Sequence, residues 1–252
     1  MRKKEQLNRQ EFVCIDCETT GLDPKQDRII EIAAVRFTLE GLIDSFESLI
    51  NPDCPIPESS IAIHHITPEM VKDQPKIEEV LPHILKLAGK SVIIGHGIGF
   101  DVEIVAAAAD RFGIPTTIRS NLLIDTLRMA RAYGESQTNS LEQLRCHFNI
   151  PQEGAHRAMS DVTVNIEVFK YLAKFYRNID QIFDVLSKPI PLKTMPFGPH
   201  KGRQFKEIPI PYLVWASKKD FDQDLLFSLR SELKKRKYKS TLAQSCNPFK
   251  DL

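Results

Sequence analysis

A buried strand that ends in two carboxylates constrains this chain more than any other feature. Residues 11–22 read EFVCIDCETTGL. The apolar run Phe12–Ile15 has the pattern of an enclosed strand, and Asp16 and Glu18 come where that run stops. Strand side chains alternate, so residues 14, 16 and 18 share one face and 15 and 17 the other. Open α/β sheets gather their ligands beyond the carboxyl ends of their strands. Two carboxylates on one face at such an end are either a solvated strand terminus or two sides of a cation site.

The rest of the chain predicts the sheet around that strand. RIIEIAAVRFT (28–38) and LIDSFESLI (42–50) read as strands joined in a hairpin at Glu40-Gly41. IEEVLPHILKLAG (77–89) has helical spacing, with Pro82 expected to kink or bound it. SVIIGH (91–96) is a strand, and FDVEIVAAAADRFG (100–113) a helix closed by Gly113. SNLLIDTLRMARAY (120–133) is a strand passing into a helix at Asp125. SLEQLRCHFNI is a helix capped by Asn139 or Ser140, and SDVTVNIEVFKYLAKFY (160–176) a long amphipathic one. Strands first, then alternating helices and strands, give an α/β fold: a mixed sheet with helices on both faces.

Charge divides the chain. Residues 1–180 hold 20 Lys and Arg against 26 Asp and Glu, whereas residues 181–252 hold 14 against 7. An acidic body and a basic tail imply different partners. Pro and Gly crowd SKPIPLKTMPFGPHKG (187–202) and put a boundary near residue 185. The expectation is a domain over 1–185, then a linker and small basic module over 186–252. No apolar run is long enough to cross a bilayer, and MRKKEQLNRQ has no apolar segment behind it to make a signal peptide. A cytoplasmic protein with no membrane partner is expected. Cys14 and Cys17 have C-x-x-C spacing, but on a strand they face opposite ways, and no second Cys/His pair completes a zinc site.

Further carboxylates stand in matching positions. Asp101 follows the loop GHGIGF in the first turn of a helix; Asp161, in HRAMSD, also opens a helix, and His156 lies five residues before it. Singly, each carboxylate reads as a helix N-terminal charge, worth about 0.3–1 kcal/mol. Gathered together, four would repel one another without cations. Mg²⁺ and Mn²⁺ take oxygen ligands. Two such ions roughly 3.5–4 Å apart can activate a water and stabilise the leaving oxygen of an in-line phosphoryl displacement. A neutral imidazole suits the removal of a proton from that water.

CIDCETTGL, IIGHGIGFD and AHRAMSD resemble, in this order, the three motifs of the DEDDh family of 3′→5′ exonucleases. Within the family, residues 9–178 are similar to the epsilon-type proofreading exonucleases of bacterial DNA polymerase III. The resemblance implies an RNase H-like five-stranded mixed sheet flanked by helices. It implies Asp16, Glu18, Asp101 and Asp161 as ligands of two divalent cations, Mg²⁺ or Mn²⁺, and His156 as general base. It places Thr19, Thr20, Leu22, His64, His96 and Phe100 beside the terminal nucleotide. It also implies single-stranded or frayed DNA 3′ ends as substrate, nucleoside 5′-monophosphates as product, and the polymerase III catalytic subunit as a possible partner. In one departure, Gly97 stands where the family commonly has Asn after the motif-two histidine.

Read from the residues alone, Phe100 fits core packing as well as base stacking, Leu22 a plain turn residue as well as a wedge, and His64 an exposed loop side chain. GHGIGF lacks the spacing of a dinucleotide loop and the Lys-Ser/Thr pair of a P-loop. The RNA branch of the same family, of the oligoribonuclease or RNase T type, uses the same ligands and stays open as an alternative. A non-catalytic nucleic-acid-binding module would have a broken ligand set, and here all five positions are filled. In the tail, RSELKKRKYK (230–239) carries six Lys and Arg against one Glu, which fits a solvated helix face or docking to nucleic acid or polymerase.

Overall fold

Seven successive buried residues, Ile29 to Val35, make β2 (Ile29–Thr38) an interior strand covered on both faces. It pairs antiparallel with β1 (Phe12–Thr19) on one side and with β3 (Gly41–Leu49) on the other. The second edge of β1 takes β4 (Val92–Gly95) in parallel, and β5 (Leu123–Asp125) lies parallel beyond it. The order β3-β2-β1-β4-β5 is a five-stranded mixed sheet with β1 at its centre. β3 closes one edge with exposed Asp44 and Glu47, charges that discourage further strand pairing. The computed structural model describes residues 7–135, 139–151 and 157–245, with side chains as far as 237.

The two faces of β1 point into different cores. Val13 and Ile15 pack with α3 (Ile77–Ala88) and α4 (Gly99–Arg111), where Leu81, Ile84, Ile104 and Val105 are buried. On the other face Phe12, Phe37 and Phe169 meet at centroid distances of 5.0 to 6.0 Å. Phe169 belongs to α7 (Ala158–Ala173), the helix laid across β1 and β2. Each fully buried phenylalanine contributes roughly 1.5–3 kcal/mol. Cys14 lies on the α7 face while Cys17 packs against the α3–α4 core, so the C-x-x-C pair is split by the sheet.

Pro82 does not bound α3, which runs from Ile77 to Ala88 with the proline inside it. The proline is exposed, so the carbonyl it leaves without an amide partner faces water. Between β3 and α3 lie α1 (Glu58–His64) and the short α2 (Pro68–Val71). Asp125 caps α5 (Thr126–Tyr133) by accepting from the Leu127 N–H. Ser140 caps α6 (Leu141–His147), and α8 (Ile179–Leu186) follows α7. Among the described residues no helix is long and apolar enough to cross a membrane.

The chain divides into two compact units, Met1–Leu186 and Ser187–Leu252. The second has its own core, built by Met195, Phe205, Ile208, Leu213, Ala216, Leu225 and Leu229 from a loop, α9 (Ile210–Ala216) and α10 (Gln223–Ser245). The Pro/Gly-rich stretch expected as a linker is part of this unit. Ile190 N–H donates to the buried Asp224 carboxylate at 2.9 Å, and Leu192 N–H to Ser228 Oγ at 2.8 Å. These bonds strap the stretch onto α10.

Candidate active site

At the carboxyl end of β1, one oxygen from each of Asp16, Glu18 and Asp161 comes within 4.8 Å of the others. Alternation along β1 turns Asp16 and Glu18 toward α7, and Asp161 is the fourth residue of that helix. Asp101, the third residue of α4, lies outside this trio. Its Oδ1 accepts the Cys17 N–H at 3.0 Å, and its charge is the strongest acting on Asp16.

The carboxylates resist ionising together. Burial, then the charges of Asp101, Asp161 and Glu18, hold the Asp16 carboxyl well above its ordinary range. Burial and Asp161 push Glu18 up to about 7, and burial pushes Asp101 up to about 7. Such a group must take up protons or a cation. An all-oxygen, all-anionic donor set fits a hard divalent ion of the Mg²⁺ or Mn²⁺ kind.

A fifth carboxylate, Glu31, escaped the sequence reading. It sits directly across the β1–β2 ladder from Glu18 and is buried. Like charges in that relation are unfavourable. Arg157 resolves the conflict: its Nη2 and Nε reach Glu31 Oε1 at 2.6 and 2.9 Å, and the Ala158 N–H donates to Oε2 at 2.9 Å. Glu31 therefore fixes the start of α7, the helix that delivers Asp161. A lone acid inside the apolar strand IIEIAAV was the available signal.

The turn after β1 is held by its own side chains. Thr19 and Thr20 are buried. Thr19 Oγ1 donates to the Gly21 carbonyl at 2.7 Å, and Thr20 Oγ1 to Asp27 at 2.9 Å. Both hydroxyls hold the turn together. A side chain at Gly21 would meet the Asp27 carboxylate at 2.5 Å, so glycine is needed for close approach. Ser60 of α1 ties on by donating to the Thr20 carbonyl. Leu22, at the tip, is 86% exposed.

The remaining expected contacts fare unevenly. His64 is buried, not exposed; Nδ1 accepts the Ile66 N–H at 3.0 Å and Nε2 has no protein partner. Phe100 packs against the α3–α4 core and is half-buried. His96 has partners within the fold. Its Nδ1 meets Thr126 Oγ1 at 3.1 Å, the ring also bonds the Asn139 backbone, and burial pushes its pKa down to about 4. Thr126 donates in turn to Asn165 Oδ1 at 2.6 Å, and Asn165 Nδ2 to Cys14 Sγ at 3.5 Å. This buried chain joins β4, α5, α7 and β1 beneath the carboxylates. Gly97 has φ +81° and donates to Asp125 Oδ1 at 3.0 Å. His156 lies outside the described residues.

Known proteins resemble this chain in sequence and in fold. The DNA polymerase III PolC-type protein of Caldanaerobacter subterraneus subsp. tengcongensis is 35% identical over 193 residues, 74% of this chain and 14% of its own length. The chain thus spans about a seventh of that relative. The DNA polymerase III subunit epsilon of Treponema pallidum is 36% identical over 162 residues, 63% of this chain and 74% of that protein. Among solved structures, Exonuclease X in complex with 5′ overhanging duplex DNA superposes with a TM-score of 0.56 at 27% identity, over 69% of this chain and 98% of that one. E. coli Exonuclease I in complex with a dA16 oligonucleotide gives 0.61 at 25% identity, over 71% and 43%. Residues 186–233 match a family provisionally described as a quorum-sensing-regulated virulence factor, which lends no chemistry. Residues 13–169, more than half of the sequence, match the Exonuclease family RNase_T, and the chain belongs to that family.

Proposed function

We propose that the chain removes nucleotides one at a time from DNA 3′ ends, in the 3′→5′ direction, as the proofreading exonuclease of a bacterial DNA polymerase III. The observation that carries the reading is the convergence of Asp16, Glu18 and Asp161 at the end of the central strand. Relatives named epsilon subunit and PolC-type polymerase support the replicative setting, and with it a cytoplasmic site of action.

Asp16, Glu18, Asp101 and Asp161 would hold two divalent cations. Bound there, the ions supply the charge that offsets the developing negative charge of an in-line phosphodiester displacement. Glu31 and Arg157 keep the start of α7, and thus Asp161, in register with β1. His156 takes the proton of the attacking water at an imidazole nitrogen. The new bond joins the water oxygen to phosphorus, and the bond from phosphorus to the 3′ oxygen of the penultimate nucleotide breaks. That oxygen takes a proton from solvent. The products are a nucleoside 5′-monophosphate and a strand one residue shorter with a free 3′ hydroxyl. Leu22 offers an exposed apolar edge to the terminal base, and His64 Nε2 a polar atom in need of a partner.

The test is degradation of matched 5′-labelled DNA and RNA oligomers with Mn²⁺ or Mg²⁺. Stepwise shortening of the DNA with release of mononucleotides, reduced more than about 100-fold in Asp161→Asn, supports the reading. Preference for RNA would move the chain to the oligoribonuclease type of activity. Metal-independent binding without hydrolysis would make it a non-catalytic module.

A further inference from the structure

The second unit leaves its aromatic side chains in an unusual place. Trp215, the only tryptophan in the chain, is 50% exposed, although burying so large a ring would serve a small core well. Its ring lies 5.3 Å from that of Tyr212, which lies 4.5 Å from that of His200. Lys219 Nζ sits 5.0 Å from the Trp215 centroid. The three rings form a contiguous cluster, Tyr212 inclined 45° to Trp215 and His200 edge-on to Tyr212 at 78°, with an ammonium at the Trp215 end.

The loop FGPHKG is shaped to complete it. Gly198 and Gly202 have φ of +75° and +80°, a region that favours glycine. A side chain at Gly198 would come 3.2 Å from the Tyr212 hydroxyl, so glycine lets the loop press against α9. The N–H groups of Lys201 and Arg203 close turns on Gly198 and His200. His200 is thereby brought onto Tyr212, with Lys201 beside it.

Charge selects the occupant. Residues 187–237 hold 12 Lys and Arg against 5 Asp and Glu. Three of the five acids are engaged within the unit. Asp222 accepts the Asp224 and Leu225 N–H groups, Asp224 is fully buried, and Glu232 pairs with Arg236. Arg236 is also engaged, on the Phe205 and Ile208 carbonyls, so the basic run 230–239 is not simply a free face. Lys201, Arg203, Lys206, Lys218 and Lys219 stay exposed. A half-exposed indole beside a partly exposed phenol, set among exposed Lys and Arg side chains, matches unstacked bases joined by phosphates.

We propose that the FGPHKG loop and α9 form a binding surface for single-stranded nucleic acid, with bases stacked on Trp215 and Tyr212 and phosphates met by Lys219 and Lys201. The inference deepens the nuclease reading, on which it rests for the choice of ligand: the surface gives the enzyme a second hold on its substrate strand.

Binding of a 5′-labelled oligothymidylate of about 20 nucleotides to the full-length chain in EDTA tests it, followed by anisotropy and by the fluorescence of the sole tryptophan. Stacking quenches that fluorescence, and a blunt duplex of the same length binds more weakly. Trp215→Ala raises Kd roughly 5- to 100-fold and Trp215→Phe restores most of the loss. Lys219→Glu lowers the slope of log K against log salt by about 0.7. Hydrolysis of thymidine 5′-p-nitrophenyl phosphate with Mn²⁺ stays unchanged in all three. Unaltered oligonucleotide affinity in both Trp215→Ala and Lys219→Glu, including the case where a polymerase subunit loses binding instead, overturns the proposal. Failure of the wild-type chain to cleave the small ester would count against the nuclease reading alone.

Discussion

Glu31 and Arg157, 126 positions apart in the sequence, close a two-pronged ion pair whose shorter arm is 2.6 Å. The pair also accounts for how two glutamates can face each other across the β1–β2 ladder. Arg157 lowers the charge penalty on Glu18 while Glu31 accepts from the first amide of α7.

Glu31→Gln keeps an acceptor but loses the charge partner of Arg157. Because Arg157 is about half exposed, water takes up part of the loss, and destabilisation of about 1–2 kcal/mol is expected. Arg157→Met leaves the buried Glu31 carboxylate beside Glu18 without its cation and is the more damaging change. Urea unfolding in EDTA ranks the two, and nuclease assays should show activity falling at least about tenfold in both.

Metal-free protein should lose stability as the pH rises. Glu18 and Asp101 each have a folded-state pKa of about 7, above the ordinary carboxylate range of about 4. Their favourable contribution is complete below pH ~4 and is lost as pH rises through ~7. Thermal unfolding in EDTA at pH 5 and pH 8, repeated with Mn²⁺, checks this. The rise in Tm on adding metal should be larger at pH 8.

Asp16→Asn should separate stability from activity. Burial, and then the charges of Asp101, Asp161 and Glu18, oppose the Asp16 carboxylate, so a neutral isostere relieves the metal-free protein. At pH 8 in EDTA its Tm should equal or exceed that of the wild type, while Mn²⁺-dependent cleavage falls more than about 100-fold. A variant that is both inactive and less stable would contradict this account of the site.

Gly97→Asn should fold normally. The position needs a left-handed backbone, which Asn adopts at less than about 1 kcal/mol, and an added Cβ would meet nothing within 4 Å. Gly97→Val should be clearly destabilised by comparison. With Asn there, as in the related motif, KM for an oligonucleotide should fall while Tm changes little.

The carboxyl end of the Phe12–Ile15 run and the order of strands and helices could be read from period and alternation, because both are local properties. The partnership of Glu31 with Arg157 could not, since it exists only once α7 has crossed the sheet. The bonds made by Thr19 and Thr20 were hidden for a related reason. A hydroxyl in a turn serves solvent, substrate or backbone alike, and only the position of Asp27 decides. The partners of His96, Thr126 and Asn139, come from later in the chain and were equally hidden. Whether Pro82 ends its helix was hidden too, because its effect depends on whether the orphaned carbonyl meets protein or water.

The buried chain from Cys14 through Asn165 and Thr126 to His96 makes proton counting at this site simple. The thiol is held well above its usual range and the imidazole well below, so between about pH 5 and 9 neither gains nor loses a proton. Protons expelled when a cation arrives then come from groups other than these two, the site carboxyls with raised pKa among them. Calorimetric titrations in buffers of differing ionisation enthalpy would give their number directly.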